Sequence, residues 1–481
     1  MPRRAGSPAP DTYQSPLVLR NASRPMAELF SPTRRALTWR SIWLALAEAQ
    51  HESGLPVSRR QIRALRATLA TIDWRAVRSY EKTLRHDVMA HLHAWADQAP
   101  SARPILHLGA TSMDVVDNAD LLLMREGLER VRQWLVTAVE ALAGQARRHR
   151  RLPCLGFTHF QPAQPVTLGK RIACWCWDFV RDLEEVEARL GSLRFRGIRG
   201  ATGTQASFLK LLGTPDRVAE LERRVARRLG FAACEPVTGQ TYSRKIDAQI
   251  VAALAGIAAS VHKMANDVRL LAGLKELEEP FGRRQVGSSA MAYKRNPMLS
   301  ERATGLARYV ISLAQSGFQN AAEQWLERTL DDSANKRLLI PESFLAVDGM
   351  LQIIVQVARG LVVYPRVMQA RLDAELPFMV TEDILMAAVA AGGDRQALHE
   401  RIRRHSQAAA ETVKHRGGHN DLLDRLRGDP AFAAVPLDRL AAARQYVGLS
   451  TEQVDQFLRE VIAPLMRAHR RTPRLEPEIA V

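Results

Sequence analysis

Aromatic residues are scarce in this chain, at 6% of 481 positions, although 46% are hydrophobic. Alanine, leucine and arginine recur instead, a composition that suits a helix-rich protein. Cysteine is rarer still. Four scattered thiols, Cys154, Cys174, Cys176 and Cys234, exclude a disulfide scaffold, and they are expected of a reduced, cytoplasmic chain. Cys174 and Cys176 sit two apart in a helical pattern, so their side chains diverge. Residues 1–16 are rich in Pro, Ser and Arg and lack an apolar centre, which excludes a signal peptide and reads as a flexible leader. The purest apolar run, 250–261, is too short to span a bilayer and has charged flanks, so no membrane partner is expected.

Acidic residues are the minority charge: 68 Lys and Arg against 51 Asp and Glu leave a net +17. Such an excess raises three classes of partner: nucleic acid, an anionic membrane surface, or a polyanionic small substrate. Basic residues alternate with acidic ones along helical faces, however, apart from short clusters at 147–151 and 467–474. Zinc-finger spacing and RNA-binding aromatic signatures are missing, so no specific nucleic-acid partner is expected.

Strand-like runs are few and there is no internal repeat. What the chain has is heptad-like apolar spacing. Met124, Leu128, Val131, Leu135, Val139 and Leu142 recur at steps of three and four, after the capping candidates Asp117 and Asn118. Ile172, Cys176, Phe179, Leu183, Val186 and Leu190 repeat the pattern. So do Ile246, Ile250, Leu254, Ile257, Val261, Met264, Val268 and Leu271, with one glycine and no proline among them. Further helical stretches are expected over 301–313 and 335–363, the latter interrupted at Pro341.

Long helices with narrow apolar stripes pack nearly parallel, as in bundles. Ala252, Ala253, Ala255, Ala258 and Ala259 permit close packing on more than one side, so the bundle is expected to continue across subunits. The expected fold is all-α, in three helical domains. Residues 1–111 form an N-terminal domain and 112–364 a central long-helix bundle. Residues 365–481 form a C-terminal domain of shorter helices broken at Gly392-Gly393, Gly417-Gly418 and Pro430.

Polar residues gather in islands between these segments. The most informative is Gly287-Ser288-Ser289-Ala290-Met291-Ala292-Tyr293-Lys294-Arg295-Asn296-Pro297. A glycine-started segment of this kind can move, place a serine hydroxyl beside fixed positive charge, and aim backbone N–H groups at an anion. Those properties suit proton removal from a carbon beside a carboxylate; taken alone, they also fit a basic surface loop. The other islands are Arg85-His86-Asp87, 108–112 with Thr111 and Ser112, 156–164 with Thr158 and His159, 238–242 with Gln240, and 327–337 with Arg328, Ser333 and Arg337.

Each has a plain alternative. His159 fits a satisfied buried histidine. His91 and His93 point in different directions on a helix and no H-E-x-x-H pattern accompanies them, so no metal is expected. Gly197, Gly200 and Gly203 lack phosphate-loop spacing and a preceding strand. Asp331 and Asp332 read as cap and salt-bridge residues.

Together the islands become recognisable. The loop at 287–297 resembles the signature of the fumarase/aspartase superfamily. In combination with Thr158-His159-Phe160-Gln161-Pro162-Ala163-Gln164, Gly239-Gln240-Thr241-Tyr242 and Arg328-Thr329-Leu330-Asp331-Asp332-Ser333-Ala334-Asn335, it resembles the adenylosuccinate lyase family, in the branch that includes the animal enzymes. The likeness runs from about Tyr13 into the C-terminal domain. It implies β-elimination of fumarate from adenylosuccinate to give AMP, and from the succinylated aminoimidazole carboxamide ribotide (SAICAR) to give AICAR. No cofactor is implied.

By the resemblance, Ser288 is the base, with Lys294 and loop N–H groups stabilising its alkoxide. His159 is the general acid and Glu301 the carboxylate that pairs with it and raises its pKa. Arg20, Arg302, Ser333 and Arg337 would hold the phosphate end. Thr111, Ser112, Thr158, Gln240, Lys294 and Asn296 would hold the succinyl portion. Arg85, His86 and Asp87 would line the base and ribose, with Arg328 nearby. Residues so dispersed imply the family's homotetramer, with sites shared among chains.

Two positions depart from the family pattern: Ala292 replaces a usual proline, and Asn21 follows Arg20 where the branch tends to carry tyrosine. The first loosens the loop; the second bears on the nucleotide end. Two alternatives are a sister lyase acting on another succinyl or aspartate adduct and a catalytically silent relative. The nucleotide-end residues argue against the first, and the presence of Ser288, His159, Lys294 and Glu301 against the second.

Overall fold

A computed structural model describes residues 12–282, 284–440 and 446–479. Of the expected leader, residues 1–11 lie outside the described residues. After a short turn at Leu17–Asn21, the N-terminal helices are α1 (Arg24–Leu29), α2 (Pro32–Glu52), α3 (Arg59–Thr68), α4 (Trp74–Leu84) and α5 (Asp87–Gln98). The central part contains α6 (Ser112–Arg148), a hairpin of β1 (Pro153–Thr158) and β2 (Gln161–Thr167), α7 (Leu168–Ser192), α8 (Ala206–Leu212), α9 (Pro215–Arg228), α10 (Lys245–Gly273), β3 (Leu277–Glu278), α11 (Met298–Ala322), α12 (Asp332–Gly360) and β4 (Val362–Val363). Then come α13 (Pro365–Met379), α14 (Thr381–Ala390), α15 (Arg395–Arg416), α16 (Leu422–Arg427), α17 (Leu437–Leu440), α18 (Ser450–Phe457) and α19 (Ala463–Ala468). The fold is all-α in class, as its apolar periodicity predicts.

The three apolar stripes become α6, α7 and α10, and their stripe residues are buried apart from the half-buried end residues Leu190 and Ile246. These helices pack with α11 and α12 into one bundle. Helices α10 and α12 are long and apolar enough to cross a membrane, yet they are core helices here, with α12 enclosed for most of its length. The N-terminal helices join the same core through Met26, Trp39, Trp43 and Trp95.

Residues of α13–α17 surround a second core of Leu372, Leu376, Ile384, Leu398, Leu422 and Phe432, which also takes in Leu155 from the hairpin. The last described residues return to the main bundle: Leu475 N donates to Thr137 Oγ1 at 3.1 Å and Glu478 N to Gln352 Oε1 at 2.9 Å.

Two local expectations need correction, and one element went unread. Helix α6 starts at Ser112, not after Asp117 and Asn118, because Asp114 turns back to accept from Thr111 N–H at 2.8 Å. Asp117 and Asn118 are then fully buried inside the helix. Secondly, α12 continues through Pro341. The carbonyl deprived of a donor belongs to exposed Arg337, and burial of Phe344, Val347, Met350 and Leu351 beyond it outweighs the local cost. The unread element is 153–167, which forms a hairpin. Thr158 pairs with Gln161, leaving His159 and Phe160 as a two-residue loop with φ of +52° and +57°, the handedness that matches strand twist. Pro153, Pro162 and Pro165 mask this hairpin in the sequence.

Candidate active site

A cleft of about 960 Å³ opens between α4–α6 and the start of α12. The sequence-derived residues Arg85, His86, Asp87, Thr111, Ser112, Gln240, Arg328, Ser333 and Arg337 all line it. Their positions follow from helix ends. Arg85 terminates α4 in a left-handed conformation, φ +51°. The turn makes His86 the N-cap of α5, where Nδ1 accepts from Met89 N–H at 3.4 Å. Its Nε2 lies 3.4 Å from Ser112 Oγ. Asp87 begins α5 and its carboxylate meets Arg337 at 2.8 Å, which ties α5 to α12 across the cleft. Gln240 Nε2 donates to Ala201 O at 2.8 Å, and its backbone N–H donates to Glu327 O at 2.9 Å.

The floor is a buried charge network that joins Tyr242, Asp332 and Lys336 from two of the sequence islands to Asp117, Asp120, Arg244 and Asp247, which lie in none; the salt-bridge reading of Asp332 holds. Arg244 pairs with Asp117 at 3.1 Å and with Asp332 at 2.6 Å; Asp332 also pairs with Arg328 at 2.8 Å. Lys336 reaches Asp120 at 3.1 Å and Asp247 at 3.5 Å, and it donates to Tyr242 OH at 3.0 Å. Tyr242 OH donates onward to Asp247 at 2.6 Å.

Burial alone would raise the Asp117 carboxyl, but Arg244, Lys336 and Arg196 overcome it and hold Asp117 below its ordinary range. Burial, then Asp247, keeps the Tyr242 hydroxyl protonated far above its usual pKa. The signal for this floor was present: Asp117, Asp247, Asp332 and Lys336 are charged residues within long apolar helices. Such residues are rarely buried unless paired.

The glycine-rich segment 196–205 also holds an anion, but an internal one. Arg199 N and Gly200 N donate to Asp114 Oδ1 at 2.7 and 3.2 Å, and Arg196 joins it at 2.5 Å. A Cβ on Gly203 would lie 2.0 Å from Thr238 O, so only glycine permits this loop to meet the segment carrying Gln240. Asp331 caps α12, accepting from Asp332 N–H at 2.9 Å, as its sequence context predicts. His91 packs edge-on against Trp39 and Trp74, and His93 stacks on Tyr80.

The remaining sequence-derived residues lie outside the cleft lining. Thr158 and His159 occupy the exposed hairpin tip, and Arg20 the exposed turn at Leu17–Asn21. Asn21 folds back on that turn, Nδ2 donating to Pro16 O at 2.9 Å. Ser288 and Lys294 belong to the loop before α11, while Glu301 and Arg302 lie in that helix's first turn.

The Ser288 hydroxyl oxygen accepts from Ala290 N–H at 3.3 Å and Met291 N–H at 3.1 Å. Two backbone donors therefore already face the atom where alkoxide charge would form. Asn296 Nδ2 donates to Gly287 O at 2.8 Å and closes the loop's neck. Behind it, buried Glu279 caps α11 through Leu299 N and Ser300 N at 2.8 and 2.9 Å. The expected pair of His159 with Glu301 is not made within one chain, and no hydrogen bond joins Lys294 to Ser288; both statements concern the described residues.

A long-helix bundle with a polar cleft and a serine loop at a helix start matches the lyase class to which the sequence motifs point, and comparisons with known proteins agree. Residues 33–312 match the family described as Lyase, and 377–457 match the adenylosuccinate lyase C-terminus. The crystal structure of a fumarate lyase from Mesorhizobium superposes with a TM-score of 0.79 at 27% identity, covering 93% of this chain and all of that one.

Among named relatives, the adenylosuccinate lyase of Saccharomyces cerevisiae is 47% identical over 94% of this chain and 95% of its own length. That of Schistosoma mansoni is 43% identical over 98% and 99%. The chain belongs to the adenylosuccinate lyase family.

Proposed function

We propose that this chain cleaves adenylosuccinate to AMP and fumarate, and SAICAR to AICAR and fumarate, by general acid–base elimination without a cofactor. The observation that carries this reading is the cleft. One wall offers Ser333 and Arg337 to a phosphate, and Arg328, which the resemblance sets near the base and ribose, stands on the same wall close enough to join them; Thr111, Ser112 and Gln240 supply neutral donors for carboxylates. Arginine suits the planar recognition of such oxyanions. Ser288 removes the proton from the carbon beside a carboxylate, and the N–H groups of Ala290 and Met291 stabilise the developing alkoxide. Lys294 adds positive charge once the loop closes on substrate. His159 protonates the departing nitrogen, with Glu301 as its carboxylate partner.

These reacting groups and the cleft belong to separate parts of one chain, which favours a homotetramer with sites completed by neighbouring copies. Exposed apolar side chains on the central helices support the same assembly. They include Trp177 on α7, Leu270 on α10, Tyr309, Ile311 and Phe318 on α11, and Leu338 on α12. The cysteines are free, which fits a cytoplasmic setting.

The deciding test is the ultraviolet change when purified chain meets each succinylated substrate, with fumarate release as a second readout. Turnover of both is expected. Loss of neither substrate, at protein concentrations that keep the oligomer intact by sedimentation, would overturn the assignment.

A further inference from the structure

The buried ions beneath the cleft are arranged as a relay toward its anion-binding wall. Arg244 is almost completely enclosed, with its guanidinium over the Tyr242 ring at 4.6 Å from the centroid. Two of its nitrogens meet the two oxygens of Asp117 at 3.1 Å each, and Nε donates to Asp332 Oδ2 at 2.6 Å. The other Asp332 oxygen accepts from Arg328 Nη1 at 2.8 Å. Asp332 is the first residue of α12; Ser333 follows it and Arg337 lies about one turn on. Each guanidinium in this chain of contacts is held by a carboxylate that is itself held from below.

A second buried pair supports the other end of the cleft. Asp114 accepts from Thr111 N at 2.8 Å and from Arg196 at 2.5 Å, and Arg196 Nη2 donates to Gly239 O, beside Gln240, at 3.3 Å. The two ends rest on different carboxylates, Asp332 and Asp114, each of which can be substituted singly, although Arg196 also acts on Asp117 and Tyr242 N donates to it.

We propose that Arg244 and Asp332 are positioning residues for the elimination: they fix Arg328 and the first turn of α12, so that the wall meeting the substrate's phosphate is preset before binding. The proposal rests on the reading of the site as an adenylosuccinate-cleaving one. Its physical basis is entropic. A free arginine side chain loses rotamer freedom when it is immobilised by a ligand. The relay removes that loss from the binding step. The ion pair between Asp332 and Arg328 also sets the direction in which the guanidinium presents its remaining N–H groups.

Inorganic phosphate and fumarate serve as probes of the two ends, in the full-length oligomer. Asp332→Asn preserves size and removes the charge that holds Arg328. The expected result is a rise of about tenfold in both the phosphate inhibition constant and the KM for adenylosuccinate, the loss of one charge-assisted hydrogen bond. With uniform binding lost, kcat stays within about twofold. The fumarate constant is unchanged.

Arg244→Lys, which keeps the charge but cannot span Asp117 and Asp332, shifts the phosphate constant in the same direction. Asp114→Asn gives the reverse pattern, with fumarate weakened and phosphate unaltered. A merely structural role would move the two probes together, or neither, in Asp332→Asn; either outcome overturns the proposal. Phosphate and fumarate binding measured by calorimetry repeats the comparison without turnover. Failure of the unsubstituted chain to cleave adenylosuccinate would therefore sink the functional reading and leave the positioning role to be judged on its own data.

Discussion

The cleft and the reacting loops solve opposite problems. Around the cleft, Arg328, Asp87, Arg337 and Gln240 are each held by a partner inside the same chain. At the hairpin tip and on the loop before α11, His159 and Lys294 are exposed. Binding groups gain from being fixed in advance, because little ordering is then needed when the substrate arrives. Reacting groups on an exposed turn and loop can close over a bound substrate and exclude water as they do so. The difference teaches that preorganisation in this chain is concentrated on the floor; the proposed mechanism leaves the reacting groups to be brought in by loop movement and a neighbouring copy.

Breaking the exposed half should have the largest effect on turnover. Ser288→Ala and His159→Ala are each expected to lower kcat by about 10²- to 10⁴-fold, the usual contribution of a positioned acid or base, while leaving the oligomer intact by sedimentation. Close to normal kcat in Ser288→Ala would remove serine from the role of base. Mixing the two inactive chains sharpens the comparison. If sites draw on several copies, hybrid oligomers contain some sites with both groups present, and activity returns on mixing. No recovery after subunit exchange would place Ser288 and His159 of each site on one chain.

The floor should fail in a different currency. Asp117→Ala leaves Arg244 and Lys336 short of a carboxylate in a fully enclosed setting. Breaking a buried pair costs about 3–5 kcal/mol. Chemical denaturation should show that loss, whereas Lys294→Ala, on the exposed loop, should leave the midpoint nearly unchanged. Equal destabilisation by both substitutions would erase the contrast between the two regions.

Legibility in the sequence divides along a related line. The stripes from Met124, Ile172 and Ile246 were readable as α6, α7 and α10 because helical periodicity encodes burial directly. The polar islands were readable as chemistry through their combined motif, and much of that set does line the cleft. The hairpin carrying His159 was hidden by Pro153, Pro162 and Pro165, which interrupt any strand pattern. The floor was hidden by distance. Asp117 and Arg244 are 127 positions apart, and nothing local to either marks them as a pair. Pro341 shows the opposite error, a local rule overridden by the packing of the rest of α12.

A smaller effect tests the cleft's surroundings through pH. Burial first, and then Arg40, push His91 down to about 4 from its ordinary 6.5. Between those values the unfolded chain binds a proton that the folded chain does not, so stability rises with pH across that window and is lost as pH falls through it. His91→Phe should flatten the denaturation midpoint between pH 4 and 6.5 relative to the unsubstituted chain. An unchanged slope would mean that His91 is not kept neutral by its place against Trp39 and Trp74.

The smallest effect concerns the departure at Ala292. Lys294 N donates to Met291 O at 3.1 Å, which makes residues 291–294 a hydrogen-bonded turn with Ala292 in its second position. Proline is favoured there, since its fixed φ matches the turn and its missing N–H is not needed. The donors to Ser288, Ala290 N and Met291 N, precede the substitution and are untouched. Ala292→Pro should therefore stiffen the loop by about 0.4–1 kcal/mol, chiefly by restricting its open conformations. Slower proteolytic nicking within 287–297 is the expected readout, with kcat changed by no more than about threefold because no reacting group is lost. Faster nicking, or a tenfold fall in kcat, would show that alanine is required for the loop to close, and that the exposed half depends on its looseness as much as the floor depends on its rigidity.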